Sequence, residues 1–333
     1  MAIQAPFWIS LFGGLLACFL LITWPIRWLL RRNLARGPQS TSQVVILGLD
    51  GLEPSLVETG IAEGWLPSFA KIKQQGCLRN LGTTCPPLSP VAWSTFATGV
   101  NPGKHGIFDF VHRDANFNLV LSMATVTQQS ARLWNWILPW RVDVPKILRK
   151  SQSFWSILGN YGIFSHIIRV PVSWPAEPFF GVQLSAMGAP DLAGTQGTYT
   201  LCLAKDTDET AALHYGQKAY WQKTSSGHKA EISLEKLGSF EIELEPSGIL
   251  NYPKGQITLE VDHYSQWLSF PIGKTCGMAR FLLLSLNPPK LYLTPIQIDP
   301  ERPQTPISHP SFYSAALSKQ LGRFATCGMA EDT

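Results

Sequence analysis

The sequence has no CxxC pair, and its six cysteines, at positions 18, 77, 85, 202, 276 and 327, are scattered with no histidine at zinc-finger spacing. That scatter argues against a thiolate metal site and a disulfide framework, leaving the cysteines as small apolar residues. Charge is sparse too: 27 Lys and Arg stand against 23 Asp and Glu, and part of the resulting +4 sits in Arg27, Arg31, Arg32 and Arg36. The remainder is close to neutral and carries no basic stripe, so nucleic-acid binding is not expected. Internal repeats and low-complexity tracts are missing, which argues against solenoids and disordered arrays. No feature bears on oligomeric state. With 45% apolar positions in 333 residues, the chain is long enough for two domains with sizeable cores.

What is present starts with an apolar run, FWISLFGGLLACFLLI at 7–22, continued on both sides by uncharged residues up to Arg27. The run alone falls short of the ~20 residues a bilayer core needs, and its flanks supply the difference. A retained single membrane-spanning helix is the expectation, because a cleaved signal peptide would show a basic n-region and a small-residue cleavage site. The arginines that follow favour a cytoplasmic globular part. The predicted division is an anchor and basic flank at 1–36, a linker at 37–43, an α/β catalytic-type domain at 44–193, an antiparallel β insertion at 194–299 and a return to the α/β domain at 300–333.

Val44–Leu49 is a continuous apolar run of the kind found in strands buried on both faces. Helical patterns follow at Pro54–Thr59, Pro67–Gln75, Pro90–Thr98 and Phe154–Tyr161, with further strands expected at Leu78–Leu81 and Phe164–Val170. This alternation predicts an α/β fold with a mainly parallel sheet and flanking helices. After Gly194 the texture changes to short β-like runs, among them GTYTLCLA, AEISLE, SFEIELE, QITLEV, RFLLLSL and KLYLTPIQI, divided by turn residues. A helical pattern returns at Ser311–Leu321.

Two residues could carry chemistry. Asp50 closes the Val44–Leu49 strand, the place where ligands bind in open α/β sheets, although a turn or helix-capping aspartate fits the same spot. Ser89 precedes Pro90 at a predicted helix start, so it is either a capping serine or a hydroxyl placed to meet a phosphate at a helix N-terminus. Thr83, Thr84, Ser94 and Thr95 are competing hydroxyls without that context. Arg169, Trp174 and Glu177 are candidate cleft residues, with loop packing the alternative. The other histidines form no ligand-spaced cluster.

The pairing of VVILGLDG with PPLSPVAWSTFATGVNPGKHGIFDF resembles the alkaline phosphatase superfamily, in its type I phosphodiesterase/nucleotide pyrophosphatase branch. The resemblance implies that Asp50 binds a metal and that Ser89 attacks phosphorus and also meets the metal, with Ala97, Thr98 and Gly99 as the trailing motif. Pro102, His105, Gly106 and Ile107 match the family's P-x-x-HGI turn, which makes His105 structural; Asp109 reads as a turn carboxylate. Ala92 stands where nucleotide pyrophosphatases carry a phosphate-holding asparagine. Asp262 and His263 fail to match the family's Asp-His-Gly segment, because Tyr264 replaces the glycine.

The resemblance further implies two divalent metal ions, zinc by family habit, whose remaining ligands have no counterpart in this sequence. An N-terminal part of a metal-dependent phosphoric ester hydrolase of phosphodiesterase type is therefore expected, working through a phospho-serine on a phosphate-ester substrate. The alternatives are a non-catalytic, membrane-tethered protein that binds phosphate or a phosphorylated ligand, and a phosphotransferase or phosphomutase on the same scaffold. Family habit favours an extracytoplasmic domain, against the charge bias.

Overall fold

Proline at the head and glycine past the end set the helices of the first half. In the computed structural model, which describes residues 43–130, 141–195, 197–205, 213, 216–234 and 237–327, α1 (Pro54–Ala62), α2 (Pro67–Gln75), α3 (Ser89–Thr98) and α4 (Pro102–His105) each carry proline in the first turn. Proline suits that place because its missing N–H would have no partner there. Gly99 and Gly106 follow α3 and α4 in the left-handed region, at φ 66° and 78°, where a Cβ would be strained.

The chain then makes two hairpins, β1 (Val111–Arg113) with β2 (Leu119–Leu121) and β3 (Ala124–Ser130) with β4 (Arg141–Ile147). Helix α5 (Phe154–Asn160) leads to β5 (Ser165–Ile168), which pairs in parallel with β6 (Gly181–Leu184). Beyond these lie β7 (Tyr199–Ala204), β8 (Gly216–Lys223), β9 (His228–Leu234), β10 (Gly238–Leu244), β11 (Ile249–Tyr252) and β12 (Gly255–Thr258). They are followed by β13 (Leu268–Ile272), β14 (Thr275–Ala279), β15 (Phe281–Leu286), β16 (Pro289–Leu293), β17 (Gln297–Ile298), β18 (Ser308–His309) and α6 (Tyr313–Leu321).

Connection length decides how these strands pair. Turns such as Pro253-Lys254, Gly273-Lys274 and Asn287-Pro288 leave no room for a crossover, so β11–β12, β13–β14 and β15–β16 are antiparallel. The result is an eight-stranded sheet in the order β12-β11-β10-β9-β8-β7-β16-β15, with smaller sheets β13-β14-β17 and β18-β6-β5. Alternate residues of these strands point one way and meet in a single core: Ile232, Phe240, Ile242, Leu250, Leu283 and Leu291 from the large sheet, and Phe270 and Ile272 from β13.

Several expectations are corrected here. The mainly parallel α/β sheet is replaced by antiparallel-rich sheets in which β5–β6 and β7–β8 are the parallel pairs among the described strands. Only long links permit parallel pairing, and most of the links here are turns. Val44–Leu49 is not a strand: it forms no ladder with the described residues, and Val44, Val45 and Leu47 are at least 80% exposed. Leu78–Leu81 likewise forms no strand, and Leu81 is 92% exposed. An apolar run becomes a strand only when neighbours satisfy its edges, and none does so among the described residues. The single-pass membrane placement is also corrected, because no helix among the described residues is long and apolar enough to cross a membrane. The anchor predicted at 7–22 lies outside the described residues.

Phe270 is fully buried, 4.9 Å from the Phe240 ring and 6.3 Å from the Phe281 ring. Phe270→Ala should therefore cost about 3–5 kcal/mol of unfolding free energy in urea titrations. A loss below about 1 kcal/mol would mean that the two sheets do not share this core.

Candidate functional site

Helix α3 organises the region that holds both predicted site residues. Leu88, not Ser89, is the N-cap; it is extended at φ −111° and ψ 143°, and Ser89 is the first helical residue, half-buried. The helix N-terminus is less open to an anion than the sequence suggests. Pro90 has no N–H, and the Val91 and Ala92 N–H groups both donate to the Leu88 carbonyl, at 3.0 and 2.9 Å. The dipole end remains at Ser89, with fewer donors to support it.

Trp93 joins Asp50 to this helix. Its Nε1–H donates to Asp50 Oδ1 at 3.1 Å, and its ring lies against Gly48, where an added Cβ would come within 2.4 Å of the ring. Residues 89 and 93 are four apart in a helix and so share a face. The indole thus brings the Asp50 carboxylate to the Ser89 face of α3, with Asp50 exposed and Ser89, Ala92 and Trp93 half-buried. Gly51, at φ 65°, makes the turn that follows. Sequence reasoning missed Trp93, and its spacing from Ser89 was the available signal.

Three of the four competing hydroxyls, those of Thr84, Ser94 and Thr95, are committed elsewhere or buried. Thr84 donates to the Pro86 carbonyl at 2.8 Å and Thr98 to the Ser94 carbonyl at 2.7 Å. Ser94 is fully buried, and Thr95 bonds His105 Nε2 at 2.9 Å. The remaining competitor, Thr83, is exposed in the segment before α3.

His105 is fully buried, and its tautomer follows from its neighbours. Nδ1 accepts the Ile107 N–H at 3.1 Å, so Nε2 holds the proton and donates it to Thr95. Burial and, after it, the Arg149 charge push its pKa below the ordinary 6.5. The ring ties α3 to the α4 turn and has no nitrogen left for a metal.

Arg149, which sequence reasoning did not single out, has no exposed side-chain surface; its Nη2 pairs with Glu177 Oε1 at 3.2 Å, and its guanidinium lies 5.6 Å from the Trp155 ring. Burial lowers its pKa, and the Glu177 charge and hydrogen bond oppose that shift. Glu177 Oε2 also accepts from Ser153 at 2.9 Å. Of the candidate cleft residues, Glu177 is thus bound up in packing, and Trp174 is buried with Ala189, Ile298 and Ile307. Arg169 is exposed, at φ 53°. Asp109 accepts the Phe110 N–H at 2.6 Å, as a turn carboxylate would.

The residues present do not by themselves fit a metal centre. No group of three or more His, Cys, Asp or Glu side chains is placed to hold a metal ion among the described residues. Asp50 and Ser89 offer one carboxylate and one hydroxyl, against the four donors of tetrahedral zinc, and Trp93 already engages Oδ1.

Comparison with known proteins matches residues 44–215 to the family model described as type I phosphodiesterase / nucleotide pyrophosphatase. Venom phosphodiesterase 2 of Crotalus adamanteus and venom phosphodiesterase CdcPDE of Crotalus durissus collilineatus are each 27% identical over 118 residues. That stretch covers 34% of this chain and only 14% of each relative. No solved structure matches.

Because the folded state holds His105 below its unfolded pKa of 6.5, the unfolded chain binds more protons in that interval. The neutral ring's contribution is whole above about pH 6.5 and is lost as pH falls towards the folded value. Urea titrations from pH 7.5 to 5 should show a steeper loss of stability in the wild type than in His105→Gln. Equal slopes in the two proteins would remove this assignment.

Proposed function

The chain belongs to the type I phosphodiesterase / nucleotide pyrophosphatase family, and we propose that it supplies the nucleophile-bearing part of a phosphoric ester hydrolase of phosphodiesterase type. The observation that carries the reading is the shared face of α3. Ser89 opens the helix, and Trp93, one turn on, holds the Asp50 carboxylate at 3.1 Å.

In the proposed reaction the Ser89 oxygen attacks phosphorus as the bond from phosphorus to the leaving oxygen breaks. The leaving group departs as an alcohol, carrying the proton that Ser89 gives up. Water then attacks the phospho-serine, restores the hydroxyl and releases a phosphate monoester. The helix dipole at Ser89 favours the anionic group by about 0.3–1 kcal/mol. Asp50 would give a divalent metal such as zinc one carboxylate donor, and the described residues do not supply the rest of a ligand set. A bound metal would lower the pKa of a serine hydroxyl or a water. Within this chain, the contribution is the nucleophile, its helix and one anionic donor. Ala92 offers no amide to hold a phosphate, so a nucleotide is not singled out as substrate.

The test uses the longest product the gene encodes, assayed with zinc and bis(p-nitrophenyl) phosphate beside its Ser89→Ala variant. Activity should fall by at least about three orders of magnitude in the variant. Acid quenching during turnover of a labelled diester should leave label on wild-type protein and none on the variant. A variant that keeps its rate would end the serine mechanism. Phosphate binding without turnover in the wild type would favour the binding-protein reading, and label passed to an added alcohol would favour phosphotransfer.

A further inference from the structure

A second candidate site lies open at the edge of strands β11 to β13. The β11–β12 turn, the start of β13 and the segment after α6 line a cavity of about 270 Å³, with Tyr252, Lys254, Gln266, Trp267, Ser269 and Arg323 on its walls. All of these residues lie beyond residues 44–215, the stretch matched to the family.

The charge on the walls has one sign. Lys254 and Arg323 are cations, and no carboxylate among the described residues lines the space. Arg323 reaches Glu301 through Nη2 at a long 3.4 Å, while its Nε–H is buried with no acceptor among the described residues. Lys254 stands exposed on the turn. The side chain is 32% exposed, so outside that buried N–H the guanidinium can still meet an acceptor brought by a ligand, and an anion is the strongest of these.

The aromatic walls add shape. Trp267 and Tyr252 are both half-buried. Tyr252 packs edge-on against Phe270 at 6.2 Å, and the Arg280 guanidinium, anchored by its Nε–H to the Ser265 carbonyl at 2.7 Å, lies 5.9 Å from the Trp267 ring centre. Rings held this way offer preorganised apolar surface beside the two cations.

We propose that this cavity binds a small phosphate monoester carried on a flat or sugar ring, with Arg323 and Lys254 meeting the phosphate and Trp267 and Tyr252 flanking the ring. The site is independent of Ser89.

Calorimetric titration of the full chain with phenyl phosphate tests it, using a Ser89→Ala background so that nothing is turned over at the proposed active site. Phenyl phosphate should bind more tightly than inorganic phosphate or phenol. Arg323→Gln and Lys254→Gln should each weaken it by about tenfold. Lys254 lies on an exposed turn, so its variant keeps the test valid if Arg323→Gln fails to fold. Binding unchanged in folded Lys254→Gln and Arg323→Gln proteins would overturn the assignment, as would equal affinity for inorganic phosphate. Diesterase activity of the Lys254→Gln protein with Ser89 intact should stay at the wild-type level, which separates failure here from failure of the Ser89 reading.

Discussion

A guanidinium with no exposed surface must be neutralised where it stands, and Arg149 imposes that requirement on everything around α3. Glu177 answers it at 3.2 Å, and Ser153 supports the same carboxylate. Removing Glu177 would leave the Arg149 charge buried and unpaired, a change that typically costs about 3–5 kcal/mol. Burial and, after it, the same charge lower the pKa of His105 and favour its neutral ring. A neutral His105 can accept from Ile107 and donate to Thr95, and those two bonds fasten α4 to α3. Helix α3 is therefore held at its C-terminal half through a buried His105, beside the charge pair of Arg149 and Glu177.

At its other end, α3 is held more lightly. Trp93 lies on Gly48 and donates to Asp50, while the preceding residues 44–47 run exposed. The contrast between the two ends is chemical in origin. The inner half packs into a buried polar unit with Trp155 and Ala97 beneath it, whereas at the other end Ser89 is half-buried and Asp50 is exposed.

The accessory strands obey a different rule. Their stability comes from alternating apolar residues closing over Phe270 and Phe281, and their topology from turns too short to permit crossovers. At the margin of that core lies the cationic, aromatic cavity around Arg323 and Trp267.

Much of the local structure was legible in the sequence. Proline and glycine marked α2 and α3 to within a residue, and the alternating runs from GTYTLCLA onward fall on β7, β9, β10, β12, β15 and β16. These features depend on neighbours in the chain, through φ preferences, lost N–H groups and side-chain alternation, so the sequence by itself determined them. It also carried the Ser89 motif and the family, since both reside in residue types at fixed spacing. Only the tertiary structure decided whether Val44–Leu49 meets other strands, that Arg149 is buried against Glu177, and that Trp93 brings Asp50 to the Ser89 face. Each of these is a contact across distant parts of the chain. An apolar run or a lone arginine reads the same whether or not its partner is there, because pairing and burial belong to the surroundings and not to the residue.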